Sequence, residues 1–428
     1  MDTNRKTAYL TLLEIEKNGA YSNLELNQQI QLLKPDSPAF VRELVYGVTE
    51  QRMYLDYLLQ RLIPRGLRGV KKQVLTLLRM GLYQIIFMDS VPDYAAVGET
   101  VRLAKKAAVG REGFVNGVLR GYQKKREQIK LPDRSTDTAA YLSVRYSCGL
   151  DIVRLWLSQY GIEKTEQLLA ASNCTPKLSV RVNLLKTSRE ELSELLKAEG
   201  FETEEGTLSQ RILFVRGSGL LETESYRKGL FSVQDQASCL TAEKLAPKAG
   251  DTVLDICAAP GGKSLAMAEI MENRGRIRAF DIYEHKLALL NREAERLGLS
   301  VIETEASDGT KERRELFESA DCVLVDGPCS GLGVLRRKPE IKYREISDEG
   351  RSFAEKQLQI LKTSAAYVKQ GGRLLYSTCT INVTENSRVA ERFLAEHKEF
   401  TVEEQMQLLP DDTETDGFFI CTMRKADC

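Results

Sequence analysis

The chain has 428 residues, 42% hydrophobic and 29% charged, with 61 basic side chains against 61 acidic ones, the balance of an ordinary soluble protein of two to three domains. No apolar run approaches the ~20 residues a membrane helix needs. The opening MDTNRKTAYLTLLEIEKNG breaks its apolar stretch with charges, so no signal peptide is expected either, and the protein is placed in the cytoplasm. Nine cysteines without a C-x-x-C pair, and only two histidines, His285 and His397, argue against a metal centre and against a Ser–His or Cys–His nucleophile pair.

Residues 1–130 are expected to form an all-α bundle. In SPAFVRELVYGVTEQRMYLDYLLQRLI (37–63), taken as one helix, Phe40, Leu44, Val45 and Val48 follow the rhythm of a core-facing stripe. Breaks at Pro35, Pro64, Pro92 and Gly110 separate the helices. Residues 1–134 carry 22 Lys and Arg against 14 Asp and Glu, and the remainder carries 39 against 47. A basic half on a neutral chain fits either a polyanion partner or a solvated helical surface. The run YQKKREQIKLPDR (122–134) ends the bundle as an exposed linker.

Residues 135–245 are mixed. KLSVRVNLL (177–185) alternates like a strand, and SREELSELLKAEG (188–200) is a helix with Ser188 as its cap. RILFVRG is a second strand, which makes a small α+β subdomain. Arg181 and Asn183 suit RNA phosphates or an ordinary half-exposed strand, and the strand is preferred. From 246 to 428, strands and helices alternate (DTVLDIC, KSLAMAEIMEN, GRIRAFDI, KLALLNREAERLG, SVIETEAS, DCVLVDG, SFAEKQLQILKTSAAYV, GGRLLYST), which predicts a parallel sheet covered on both faces. Ligands in such sheets bind at the carboxyl ends of the strands. Cys329 and Cys379 stand at two of those ends, the latter in a strand that follows the turn-forming pair Gly371-Gly372, whereas Cys239, Cys257 and Cys322 lie in or beside apolar segments as core thiols would.

In TVLDICAAPGGKS (252–264) a strand ends in a small-residue turn before a helix. Ala258, Ala259, Gly261 and Gly262 allow a ligand close to the backbone. Asp255 suits an amine-bearing ligand, or simply caps the following helix. The turn is neither G-x-G-x-x-G nor a Walker loop, so pyrophosphate is not favoured. Asp281, ending the next strand, is placed to take ribose hydroxyls. The pattern alone leaves a dehydrogenase open by analogy of fold.

CAAPGGK, Asp281, ASDG (306–309), DGPCSG (326–331) and YSTCT (376–380) resemble, in order and spacing, the RsmB/NOP/Sun family of S-adenosylmethionine-dependent RNA cytosine-C5 methyltransferases. FSVQDQAS (231–238) looks like that family's entry to its catalytic domain, and residues 1–130 are similar to the NusB-like RNA-binding domain of its bacterial members acting on 16S ribosomal RNA. The pattern departs in three places. Gly327 stands where alanine is usual, INVTENSR (381–388) keeps Glu385-Asn386 without the usual proline, and RYSCGLDIVRLWL (145–157) lacks a proline.

The resemblance implies a Rossmann-like α/β methyltransferase domain (246–428) preceded by a linker and small α+β RNA-binding subdomain (135–245) and a NusB-like helical domain (1–130). It implies that Cys257, Ala258, Ala259, Pro260, Gly261, Gly262 and Lys263 cradle S-adenosylmethionine, with Asp281 on its ribose and Asp308 on its adenine. Asp326 then faces both cofactor and target base, Cys379 is the nucleophile and Cys329 assists release. Carbon 5 of cytosine is a weak nucleophile, and thiolate addition at carbon 6 makes it reactive, which is why two thiols belong here. The implied partner is 16S rRNA, naked or in an early assembly intermediate, and the implied state is a monomer. Transfer RNA or large-subunit rRNA is the alternative substrate, and a non-catalytic RNA-binding assembly factor the alternative class.

Overall fold

Proline and glycine set the ends of the N-terminal helices. In the computed structural model, which describes residues 2–18, 22–344, 346, 349–412 and 415–427, helix Ser22–Leu33 stops just before Pro35 and Arg52–Leu62 just before Pro64. Pro92 opens Asp93–Ala107, and Gly110, with φ +76°, turns the chain into Glu112–Lys125. Ser37 caps Pro38–Glu50 by accepting the Phe40 amide at 3.4 Å. These helices share a core that includes Leu44, Leu55, Leu77 and Leu119.

The segment expected as one long helix, 37–63, is two. The helix breaks at Gln51 (φ −94°, ψ 13°) because other groups take the backbone there. The Ser147 hydroxyl accepts the Met53 amide at 3.0 Å, and the Tyr343 hydroxyl donates to the Glu50 carbonyl at 2.6 Å. Both partners lie in the same compact unit, which comprises Met1–Asn173 together with Leu335–Glu345.

The second unit comprises Cys174–Val334 and Ile346–Cys428. It begins with a four-stranded antiparallel sheet of β1 (Leu178–Val182), β2 (Glu202–Glu205), β3 (Ile212–Arg216) and β4 (Phe231–Val233), in the order β2-β3-β1-β4. The chain then builds a seven-stranded sheet from β5 (Thr252–Asp255), β6 (Arg276–Asp281), β7 (Ile302–Ala306), β8 (Ala320–Asp326), β9 (Val368–Thr378), β10 (Phe400–Leu408) and β11 (Phe418–Lys425), in the order β10-β11-β9-β8-β5-β6-β7. Neighbouring residues face opposite ways: Val253, Leu375 and Ile420 pack with helices 236–245, 262–270 and 284–297, while Leu254, Leu374 and Phe419 pack with helices 349–365 and 387–396. Both faces are covered, which is why these strands are continuous apolar runs.

Two expectations need correction. The sheet is not wholly parallel, since β10 and β11 run antiparallel to their neighbours. Gly371-Gly372 is not a turn before a strand but lies within β9, where a register shift against β8 accommodates Gly371 at φ +69°.

Candidate active site

The strand order reverses between β5 and β8, and crevices in such sheets open at that switch point. A cavity of about 270 Å³ lies there, walled by Asp255, Cys257, Ala258, Ala259, Pro260, Gly262, Lys263 and Asp326. Residues from other elements close it: Gln234 and Asp235 after β4, Val334, Asp416, and Phe418 at the start of β11. Because β11 is antiparallel, its first residue reaches the rim formed by the last residues of the parallel strands.

On the β5 side the loop is held mainly by backbone. Ala258 donates its amide to the Phe280 carbonyl at 2.8 Å, and the Ala259 amide donates to Asp281 Oδ2 at 3.2 Å. Asp281 Oδ1 accepts the Tyr283 amide at 2.9 Å. Gly261, at φ +108°, is glycine for an internal reason, since a Cβ there would stand 2.4 Å from Leu290. Gly262 lies against Gln234, 3.2 Å from where its Cβ would be. Asp255 does not cap the following helix through a backbone amide. Its Oδ2 accepts the Ser264 hydroxyl at 2.6 Å, while its buried Oδ1 has no partner. Burial pushes this carboxyl up to about 7, against the Ser264 hydrogen bond. Cys257 is likewise pushed well up by burial and by the charges of Asp255, Asp326 and Asp281, so it is a neutral thiol.

Asp308 does not line the cavity. Its Oδ1 accepts the Thr310 hydroxyl at 2.7 Å and amide at 3.0 Å, and these bonds hold its carboxyl below the usual range. The adjoining Gly309 packs on Ile256, where a Cβ would come within 2.8 Å of the side chain.

On the β8–β9 side the groups are side chains. Lys263 Nζ donates to Asp326 Oδ2 at 2.6 Å and sits 4.8 Å from the Phe418 ring centre. Burial would depress this ammonium, but Asp326, Cys379 and Asp255 together raise it above its ordinary value. It is therefore not a surface lysine. Asp326 Oδ1 accepts the Ser377 hydroxyl at 2.8 Å, which engages both carboxylate oxygens. Cys329 Sγ and Cys379 Sγ lie 3.3 Å apart, in hydrogen-bonding contact and well beyond a disulfide bond. The Cys379 hydrogen bond, and then burial, raise the Cys329 thiol well above its usual value.

Glu385, fully buried, was visible only as part of a motif. It accepts the Ser330 amide at 2.8 Å, the Ser330 hydroxyl at 2.6 Å and Asn382 Nδ2 at 2.9 Å. Burial raises its carboxyl in spite of these donors. Arg181 and Asn183 also depart from expectation, for neither is half-exposed. Arg181, with no exposed surface, donates to both Glu269 oxygens at 3.0 and 2.8 Å, to the Gly262 carbonyl at 3.0 Å and to Gln234. Asn183 Nδ2 donates to the Gly229 carbonyl at 3.0 Å. Period-two alternation cannot report a buried charge whose partner is 88 residues away.

Among the described residues no cluster of His, Cys, Asp and Glu could hold a metal, and no helix is long and apolar enough to cross a membrane.

The Rossmann-like fold together with its family matches is that of a methyltransferase of the S-adenosylmethionine-dependent class. Residues 242–424 match the family of 16S rRNA methyltransferases RsmB/F, residues 2–124 match the NusB family, and residues 152–219 match the ferredoxin-like domain of RsmF/B-like methyltransferases. The chain is 40% identical to a probable ribosomal RNA small subunit methyltransferase B of Bacillus subtilis, over 98% of each chain. It is 34% identical to a protein of the same description from Synechocystis, over 100% of each. The crystal structure of PH0851 shares the fold, with a TM-score of 0.85, 24% identity and 99% of each chain covered. The chain belongs to the RsmB/F family.

Proposed function

We propose that this protein methylates carbon 5 of a cytosine in 16S rRNA through a covalent bond between Cys379 and carbon 6 of the base. The observation that carries the proposal is the pair of thiols 3.3 Å apart beside the Lys263–Asp326 ion pair. When bound, S-adenosylmethionine supplies an electrophilic methyl group. The cavity suits it, because Asp255 Oδ1 is a buried acceptor in want of a donor such as an ammonium, and Ala258, Ala259 and Gly262 keep the wall low. Asp281 would take the ribose and Asp308 the adenine, both from strand ends beside the cavity wall rather than from the wall itself.

The residues divide the work by charge. Lys263 and Ser377 donate to Asp326, and Lys263 and Asp326 together would balance the charge that develops on the ring. Either sulfur of the pair can donate; with Cys329 as the donor, the contact would hold Cys379 as the attacking thiolate. The thiolate would add to carbon 6, and the electron pair of the ring's 5,6-double bond becomes available at carbon 5 to take the methyl group, whose bond to the sulfonium breaks to leave a neutral thioether. Once Cys379 is bonded to carbon it no longer takes the hydrogen bond from Cys329, and Cys329 would give up its proton to serve as the base of the second half-reaction. As a thiolate it then takes the carbon 5 proton. The 5,6-double bond re-forms, and the carbon–sulfur bond breaks to return the Cys379 thiolate. The base must be unstacked to enter, which costs a few kcal/mol and least in a single-stranded loop.

The test is chemical. Cys379→Ala should abolish both turnover and any covalent complex with a 16S rRNA transcript. Cys329→Ala should transfer the methyl group and then stall as a protein–RNA adduct visible by denaturing electrophoresis. An adduct from Cys379→Ala and none from Cys329→Ala would reverse the roles.

The helical domain is proposed to supply RNA affinity without chemistry, acting in a cytoplasmic monomer on naked rRNA or an early assembly intermediate. Its excess of basic residues and its match to the NusB family support this. Replacing the exposed Lys124, Lys125 and Arg126 with glutamine should flatten the plot of log affinity against log salt, by roughly 0.7–0.9 for every phosphate these side chains neutralise. An unchanged slope would remove these residues from the RNA surface.

A further inference from the structure

The two cysteines come from loops 50 residues apart in sequence, yet their sulfurs are in contact. The residues directly after them are joined too, since the Ser330 and Thr380 hydroxyls lie 2.9 Å apart. Behind both stands the Glu385 carboxylate. It binds Ser330 through the amide and the hydroxyl, and through Asn382 it binds the segment that continues from Cys379. Gln357, fully buried on helix 349–365, donates to the Pro328 carbonyl at 2.8 Å and reaches Glu385 at 3.4 Å. The residue before Cys329 and the residue after it are thus both tied to one buried carboxyl group, the former through Gln357. Cys379 has support of its own, because it directly follows β9, whose last residues Ser377 and Thr378 are fixed by Asp326 and Asn386. Cys329, three residues beyond β8, depends on the clamp.

We infer that Glu385 is a positioning residue for Cys329, setting the elimination half of the reaction while leaving the attack of Cys379 largely untouched. Glu385 never contacts the base; it acts by holding the 328–330 turn so that the Cys329 sulfur stays against the Cys379 sulfur. This rests on the roles proposed above for the two thiols, and the experiment separates the two ideas.

Glutamine at 385 has one acceptor oxygen where glutamate has two. Its amide nitrogen must face a group that now donates, the Ser330 amide on one side or Asn382 on the other. Wild type, Glu385→Gln, Cys329→Ala and Cys379→Ala, each as full-length protein, are incubated with a 16S rRNA transcript and labelled S-adenosylmethionine. Turnover and the gel-stable adduct are then measured together. Glu385→Gln should lose turnover by about tenfold or more, the scale of one misplaced hydrogen bond to a charged group. It should also accumulate an adduct that already carries the transferred methyl, as Cys329→Ala does. A merely structural residue would lower turnover and adduct together. Wild-type turnover, or turnover lost without an adduct while Cys329→Ala still traps RNA, overturns the positioning role and leaves the thiol roles intact. If Cys329→Ala itself traps nothing, the thiol roles fail, and this inference with them. Should Glu385→Gln not fold, Ser330→Ala, which removes a single donor, is put through the same assay. A methylated adduct then supports the role, and its absence overturns it.

Discussion

The two sides of the rim are built differently. On the β5–β6 side, backbone amides and small residues shape the loop, and its acids lie at strand ends or within a few residues of them. On the β8–β9 side, two loops are locked by side chains drawn from residues 330, 357, 380, 382 and 385 around one buried carboxylate. A cradle only has to stay still while a ligand enters and leaves. The thiol gap has to hold two groups in contact while one of them forms and breaks a bond, which demands tighter positioning than backbone alone provides.

The contrast can be broken most forcefully at Arg181, a fully buried charge that holds the helix carrying Lys263. Arg181→Ala leaves Glu269 buried and unpaired, and should cost about 3–5 kcal/mol of stability in a denaturant titration. Arg181→Met combined with Glu269→Leu should recover most of that loss, and an equal loss in the double variant would show that packing rather than charge is at stake.

A second measurement probes Asp255 through pH. Its folded pKa, about 7, lies above its ordinary value of 3.8. The stability of the neutral form is therefore fully present below pH 3.8 and is lost as pH rises to about 7. Relative to Asp255→Asn, the wild type should weaken across that window by on the order of a few kcal/mol and stay level above it. A stability difference independent of pH would mean that the folded pKa of Asp255 is not raised above 3.8.

Smaller effects sharpen the contrast. Asp281→Ala removes an acceptor from the Ala259 amide and from the proposed ribose site. It should weaken S-adenosylmethionine binding by roughly 1–3 kcal/mol in calorimetry, with Asp308→Ala in the same range. Ser377→Ala takes one donor from Asp326. It should leave cofactor affinity alone and lower turnover by a factor worth about 1 kcal/mol, measured at saturating cofactor.

The same division explains what the sequence could tell. The turn from Cys257 to Lys263 is contiguous, so its small residues and following helix were legible, as were Asp326 and Cys329 three residues apart. The Glu385 clamp was not, because its donors are separated by up to 55 residues and each is an ordinary polar residue taken alone. Phe418 was legible as a strand residue, but its place at the rim depends on β11 running antiparallel, and an apolar run carries no direction. Arg181 was misjudged for a related reason: alternation distinguishes two faces of a strand, and both faces of β1 are covered.

The ion pair between Arg181 and Glu269 also bears on how such a protein can be divided. The small antiparallel sheet would pass for an accessory module that could be cut off or exchanged, since it has its own strands and its own core. Yet one of its strands owns half of a charge pair whose other half belongs to the catalytic helix. A fragment starting at residue 242, where the match to the methyltransferase family begins, would inherit Glu269 without Arg181. The seam between these parts is therefore electrostatically closed. Any rearrangement that grafts this catalytic sheet onto another RNA-binding module must bring the β1 strand along or neutralise the acid it leaves behind.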